Sequence, residues 1–438
     1  MTDEATPAYK FDTQKVRAGY EPKDHNNAVS PPIYQTTAFD FRDVEHAQNL
    51  FSNSELGFLY TRIGNPTVAI FEQRVQALDG AAAAIALGSG MAAISYTLLN
   101  LTENGGRILS SPYLYGGTVD SFKKVLPKLG VKIDIARNIE NPSALAQEIK
   151  PDTKAIFIES ISNPTATLLD VDAIAKVAHQ HGIPLVVDNT VATPYLFNPI
   201  AHGADLVVYS ATKGLNGHGN LVGGLILESG NFDYTTDKFP QFSEKYYTLR
   251  DKDGKRRSFP EVFPGAPFTA RVRMNYLNFL GAALSPFDAY LALLGLETLS
   301  ERLDKQVRNA QALAEFLSQH DQVEWVNYPA LKSSPFYELY KRDFLKGAGG
   351  LLSFGFKGTE RQRETFLNSV RLFHYHVNIG DSRSLIVNSP QTTHSELEEE
   401  EKAVAKIPEN LIRISAGLED PADLIADLKQ AFAKALAQ

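Results

Sequence analysis

Ala204-Asp205-Leu206-Val207-Val208-Tyr209-Ser210-Ala211-Thr212-Lys213-Gly214 is an apolar strand that stops, turns and presents one lysine among small hydroxylated residues. A lysine beside an apolar run is poorly hydrated and loses its proton more easily than a surface one. Such an amine can form a Schiff base with an aldehyde. Alone, the stretch more often means a solvated lysine at a strand end, because Lys is almost never fully buried.

Outward from this stretch the chain alternates. Short apolar runs fall at 83–87, 107–110, 131–136, 155–159, 184–188, 205–210 and 221–227, with helix-like stretches at 119–129, 143–149 and 172–181. Strand and helix at this spacing predict an α/β fold, a mostly parallel seven-stranded sheet with helices on both faces. Ligands bind such sheets at the carboxyl ends of the strands. Three regions depart from the rhythm. Residues 1–65 form an irregular, aromatic-rich arm that must pack on the chain's own body or on a neighbouring subunit. Residues 230–275 form an insert around the charged loop Asp251-Lys252-Asp253-Gly254-Lys255-Arg256-Arg257. From Ser285, an N-cap with Pro286 at N1 and Asp288 in the first turn, a long helix is expected to about His320. Strands near 323–326, 351–356, 385–387 and 411–415 follow. A helix opened by the capping box Ser395-Glu396-Leu397-Glu398 and another at 421–437 complete a smaller α+β domain. The expected domains are therefore 1–65, 66–284 and 285–438.

The 438 residues exceed what one core holds. A net charge of −8 with no basic stripe argues against nucleic acid. The absence of cysteine excludes disulfides, thiolate metal sites and cysteine nucleophiles. Met1-Thr2-Asp3-Glu4-Ala5 lacks the apolar segment of a signal peptide, and no run is long enough to cross a membrane. A cytoplasmic protein without a metal site is expected.

Gly88-Ser89-Gly90-Met91 follows a strand-like run and opens a helix. Glycines let backbone approach an anion, and a helix N-terminus offers free N–H groups and positive potential. The stretch is a phosphate cradle or a plain tight turn. It matches neither a P-loop nor the full dinucleotide fingerprint, since Ala93 stands at the third glycine. Asp188 ends the apolar strand Leu185-Val186-Val187. A carboxylate there can pair with a ring nitrogen, bind metal or cap the next turn. A cradle, a strand-end Asp and a strand-end Lys in this order fit pyridoxal phosphate. The phosphate would sit on the helix N-terminus with the Ser210 and Thr212 hydroxyls, Asp188 would face the pyridine nitrogen, and Lys213 would hold the aldehyde.

Tyr60-Thr61-Arg62-Ile63-Gly64-Asn65-Pro66-Thr67, Gly88-Ser89-Gly90-Met91-Ala92-Ala93, Leu114-Tyr115-Gly116-Gly117-Thr118, Glu159-Ser160-Ile161-Ser162-Asn163-Pro164, Val187-Asp188-Asn189-Thr190 and Ser210-Ala211-Thr212-Lys213 resemble, in order, the Cys/Met-metabolism family of fold-type I pyridoxal-phosphate enzymes. The resemblance implies Lys213 as the Schiff-base lysine, Asp188 as the pyridine partner, and Tyr115 as the ring-stacking, proton-transferring tyrosine. It implies Ser89, Gly90, Met91, Ser210 and Thr212 as phosphate binders. Tyr60 and Arg62 would reach the phosphate of a neighbouring subunit, and Asn163, Ser384 and Arg413 would hold the substrate. A homotetramer with shared active sites follows from the same resemblance. The long insert and Gly295-Leu296-Glu297-Thr298-Leu299 resemble the branch that replaces the acetoxy group of O-acetyl-L-homoserine with sulfide or a thiol. Cystathionine γ-synthase and methionine γ-lyase activities are the alternatives. One departure is Asn388-Ser389-Pro390-Gln391, where the family often reads H-P-A-S, and it bears on substrate preference.

Overall fold

The computed structural model describes residues 9–251 and 253–437. The polar start Met1–Ala5 and Lys252 of the charged loop lie outside the described residues. The larger sheet contains β1 Ala83–Leu87, β2 Arg107–Ser110, β3 Lys132–Ile135, β4 Thr153–Glu159, β5 Leu185–Asp188, β6 Leu206–Ser210 and β7 Gly224–Glu228. Their order is β1-β7-β6-β5-β4-β2-β3. Each strand lies on a run expected from the sequence. Strands β2 to β6 pair in parallel, whereas β7 is antiparallel to both β1 and β6. No helix separates β6 from β7, so the chain turns back instead of crossing over.

Both faces of the sheet are apolar because both are covered. Ile156, Ile158, Val187, Val207 and Leu227 pack with Phe71 and Val75 of the helix Pro66–Asp79 and Ile174 of the helix Val171–Gln180. Phe157, Val186, Leu206, Val208 and Ile226 pack on the other side with Ile94 and Leu98 of the helix Gly90–Thr102. The insert joins this second core through Tyr234, Phe239, Phe242 and Phe268, while the charged loop stays outside. The amino-terminal arm divides. Phe11 and Tyr20 pack on the chain's own core, but Phe51 and Tyr60 remain exposed.

A smaller sheet follows: β8 Val323–Asn327, β9 Leu351–Phe356, β10 His374–Tyr375, β11 Leu385–Val387 and β12 Leu411–Ser415, in the order β10-β11-β12-β9-β8. It packs against Phe366 and against Leu428 and Phe432 of the helix Pro421–Leu436.

Two expectations need correction. The helix opened by Ser285 is two helices, Pro286–Glu297 and Leu299–Ser318, broken at Thr298. The Gly295 carbonyl accepts from the buried Arg302 Nη2 at 2.7 Å and from Thr298 N at 3.4 Å, which tightens the turn. Arg302 also donates to the carbonyls of Gly214 and Leu215, so the break braces the turn behind Lys213. The expected capping box at Ser395 lies three residues later, with Glu398 and Glu401 capping Glu399–Val404. The Ser395 hydroxyl instead donates to the Thr392 carbonyl.

Candidate active site

Strand alternation aims three polar residues at one place. Asp188, Glu159 and Ser210 end β5, β4 and β6 on the face that carries Val186, Phe157 and Val208. All three line a cavity of about 240 Å³ at the carboxyl edge of the sheet. Ser89, Gly90, Met91, Tyr115, Asn163, Thr212, Lys213, Asn378, Thr393 and Arg413 also line it.

At one end lies the N-terminus of the helix Gly90–Thr102, with Ser89 Oγ accepting from Ala92 N at 3.1 Å. Gly90 is held so close to Ser210 that an added Cβ would lie 2.7 Å from the Ser210 Cβ. The exposed N–H groups of this turn and the Ser210 and Thr212 hydroxyls therefore surround one spot suited to an anion.

At the other end is Arg413 on β12, only 2% exposed. Its Nη1 donates to Asn163 Oδ1 at 3.0 Å and its Nη2 to the Asn378 carbonyl at 2.9 Å. Among the described residues its buried Nε has no hydrogen-bond partner. Burial pulls the guanidinium down to about 10. A buried cation without a carboxylate is costly, and a bidentate anion would relieve it.

Lys213 lies between these ends, its Nζ donating to Asn378 Oδ1 at 2.7 Å. Burial first, then the Arg413 charge, pull its ammonium down to about 8, against a smaller upward pull from Asp381. Burial pushes Asp188 up to about 6, opposed by hydrogen bonds from Thr190. Beside it, burial and then Asp188 push Glu159 well above the usual carboxylate range. An acid, an amine and an anion socket thus share one cavity.

A model of the family described as Cys/Met metabolism PLP-dependent enzyme matches residues 12–433. The chain is 41% identical to a homocysteine synthase of Schizosaccharomyces pombe, covering 96% of this chain and 98% of that protein. It is 39% identical to O-acetyl-L-homoserine sulfhydrylase 1 of Thermus thermophilus, covering 97% of this chain and all of that protein (100%). A crystal structure from Campylobacter jejuni, described as an O-acetylhomoserine (thiol)-lyase carrying a pyridoxyl-lysine phosphate, superposes with a TM-score of 0.92 at 38% identity, covering 97% of this chain and 100% of that one. The chain belongs to the Cys/Met-metabolism family of pyridoxal-phosphate-dependent enzymes.

The family's cofactor fits the cavity's chemistry: an anion cradle at a helix N-terminus, an amine of lowered proton affinity, and a carboxyl at a strand end between them. Several expected residues sit elsewhere. Ser384 does not line the cavity; its hydroxyl donates to Glu419 Oε2 at 2.8 Å and accepts from Gly417 N at 2.8 Å. Asn378, six residues earlier, takes the place beside Lys213 and Arg413. Nothing in its local sequence marks it, because the loop 376–384 reaches the cavity only through tertiary packing. Tyr60 and Arg62 do not line this chain's own cavity. Arg62 lies 5.3 Å from the Tyr60 ring centre and donates to Asn278 Oδ1 at 2.9 Å. The departure Asn388–Gln391 also stands off the cavity. Asn388 Nδ2 donates to Gln391 Oε1, and Thr393, two residues beyond, reaches the lining.

Proposed function

We propose that this enzyme carries out γ-replacement on O-acetyl-L-homoserine, with sulfide giving L-homocysteine and acetate, and methanethiol giving methionine. The observation that carries the reading is Arg413, a buried cation with no anionic partner among the described residues, joined through Asn378 to the amine of Lys213. An α-amino acid brings a carboxylate for the cation and an amine for the aldehyde that Lys213 would hold. The names of the similar proteins support the acetyl ester and the sulfur nucleophile.

When bound, pyridoxal phosphate supplies an electron sink for charge left at the substrate carbons. The chain's residues divide the remaining work. The Ser89-Gly90-Met91 turn, Ser210 and Thr212 would bind the phosphate. Asp188 would face the pyridine nitrogen, whose positive charge would draw it to the ionised form. Arg413 and Asn163 would hold the substrate carboxylate. The Lys213 amine, when free, has a proton affinity low enough to take the Cα proton near neutrality. Tyr115, which lines the cavity, would return protons with Lys213 as acetate leaves Cγ and sulfide takes its place.

Tyr60 and Arg62 do not line their own cavity, which supports a role in the cavity of a neighbouring subunit and a homotetramer with shared sites. No helix among the described residues is long and apolar enough to cross a membrane, and a cytoplasmic location is part of the reading.

The test is product analysis with O-acetyl-L-homoserine plus sulfide, plus cysteine, and with no thiol. Homocysteine and acetate from sulfide alone are expected. Cystathionine as the main product, or a keto acid without thiol, would replace the reading with a synthase or a lyase.

A further inference from the structure

Glu159 has no part in the steps above, yet it is 4% exposed and lies in the cavity wall. It ends β4 directly opposite Asp188 in the strand register. Its two oxygens serve two different loops. Oε1 accepts from Tyr115 N at 2.6 Å, and Oε2 accepts from Asn163 N at 3.0 Å. Tyr115 lines the cavity and is partly exposed, and Asn163 carries the amide that holds Arg413.

A second group grips the same peptide from the other edge. His394 is fully buried, and its Nε2 lies 3.3 Å from the Leu114 carbonyl. Burial holds its ring down to about 4, so it is neutral at neutral pH. A neutral ring facing a carbonyl carries its proton on that nitrogen, and its Nδ1 is left to accept from the Thr393 hydroxyl at 2.9 Å. The Leu114 carbonyl and the Tyr115 N–H belong to one peptide unit, which is thereby held at both edges.

We infer that Glu159 is a positioning residue: one carboxylate sets the Tyr115 ring and the Asn163–Arg413 carboxylate socket at a fixed separation, with His394 completing the grip. The two N–H bonds favour the ionised form against burial and the Asp188 charge, and in that form both oxygens only accept. Glutamine, equal in shape, would turn an NH₂ toward one of the two N–H groups and lose one anchor. The cost of placing a second carboxylate beside Asp188 fits a role that an amide cannot fill.

The inference rests on the proposed reaction, so the wild-type enzyme must first turn over O-acetyl-L-homoserine with sulfide; if it does not, that reading fails and not this one. The decisive comparison is Glu159→Gln with Glu159→Asp. In Glu159→Gln the KM for the amino acid should rise at least tenfold and kcat should fall by as much as about 10²-fold, the scale of a 1 Å misplacement. The KM for sulfide should stay within twofold. Stripped Glu159→Gln protein should also bind pyridoxal phosphate more weakly in a fluorescence titration, a readout independent of substrate. Glu159→Asp keeps two acceptors on a shorter stem and should recover part of each loss. If Glu159→Gln does not fold, Glu159→Asp alone should show the same split between amino acid and sulfide. Glu159→Gln with unchanged kinetics and cofactor affinity would overturn the inference. So would equal effects on both substrates in either variant.

Discussion

The carboxyl ends of β4, β5 and β6 carry two sets of polar residues, one residue apart along the chain and on opposite faces of the sheet. Glu159, Asp188 and Ser210 face the cavity. Ser160, Asn189 and Tyr209 face the other way and are completely buried or nearly so. The rear set forms a closed network. Ser160 Oγ donates to Asn189 Oδ1 at 2.7 Å, Asn189 Nδ2 donates to Tyr209 at 2.9 Å, and the Tyr209 hydroxyl lies 2.8 and 2.9 Å from the two oxygens of Asp79. The front set is open. Among the described residues Asp188 is propped only by Thr190, and Arg413 across the cavity keeps an unpartnered Nε. A buried network with every member bonded contributes stability, whereas open polar groups in a cavity are destabilising until a ligand completes them. The same strands therefore hold a structural bar behind and a binding site in front, and substitution should separate the two.

The largest break is expected at Lys213. Lys213→Ala should lower turnover on the order of 10⁴-fold, since both the proposed cofactor anchor and the proposed general base are lost. It should also abolish the chromophore that borohydride fixes to the wild-type protein. Its melting temperature without cofactor should hold or rise, because a buried amine is removed.

Next is Arg413. Arg413→Met should raise the KM for the amino acid by about 10²-fold or more and leave that for sulfide nearly unchanged. Without cofactor this variant should be as stable as wild type or more so, because a buried cation without an anion is replaced by a thioether. A large loss of stability in the apoprotein would mean that Arg413 belongs to the structural set. The same variant removes a charge that lowers the proton affinity of Lys213. The pH midpoint for acylation of Lys213 in apoprotein, expected near 8, should therefore move upward.

At the rear the signs reverse. Tyr209→Phe should cost about 1–3 kcal/mol of stability, since the Asp79 carboxyl loses its donor, with kcat/KM changed less than threefold. Burial pushes Asp79 up to about 7. A carboxyl whose folded pKa lies above its unfolded one adds stability at low pH and loses it as pH rises through about 7. The melting temperature should therefore fall between pH 5 and 8, less steeply in Asp79→Asn, and the deficit of Tyr209→Phe should widen over the same interval.

The front set was legible in the sequence where strand period and local motif coincide. Asp188 closes an apolar run and Lys213 follows one by a short turn, so the ends of the runs alone place both at the carboxyl edge. The rear bar was not, because Asp79, Ser160, Asn189 and Tyr209 meet only when four separate elements pack. Asn378 escaped for the same reason, and Ser384, nearer the expected motif, is bound to Glu419 instead. The antiparallel β7 and the break at Thr298 depend on what lies opposite, a returning chain in one case and Arg302 in the other. Periodicity reports a residue's own element and is silent about its neighbour.

The smallest effect tests how much slack the front set has. Gly117 sits under the Tyr115 ring; an added Cβ would lie 2.6 Å from Tyr115 Cε1 and 3.0 Å from its Cζ, closer than such atoms pack. The Tyr115 ring is 40% exposed, and among the described residues no hydrogen bond holds its hydroxyl, so the ring can yield at little energetic cost. Gly117 also lies within the helix Gly116–Asp120, where alanine is favoured over glycine by roughly 0.5–1 kcal/mol. Gly117→Ala should therefore leave the melting temperature unchanged or slightly higher. It should still lower kcat by about tenfold, because the ring proposed to transfer protons must shift to clear a Cβ that would lie 2.6 Å from it. The grip on the Leu114–Tyr115 peptide is untouched by this substitution, so the KM for the amino acid should stay within twofold. A fall in kcat with no loss of stability would separate the ring's placement from its anchorage. A fall in both would make Gly117 part of the helix's packing and return Tyr115 to the structural side of the comparison.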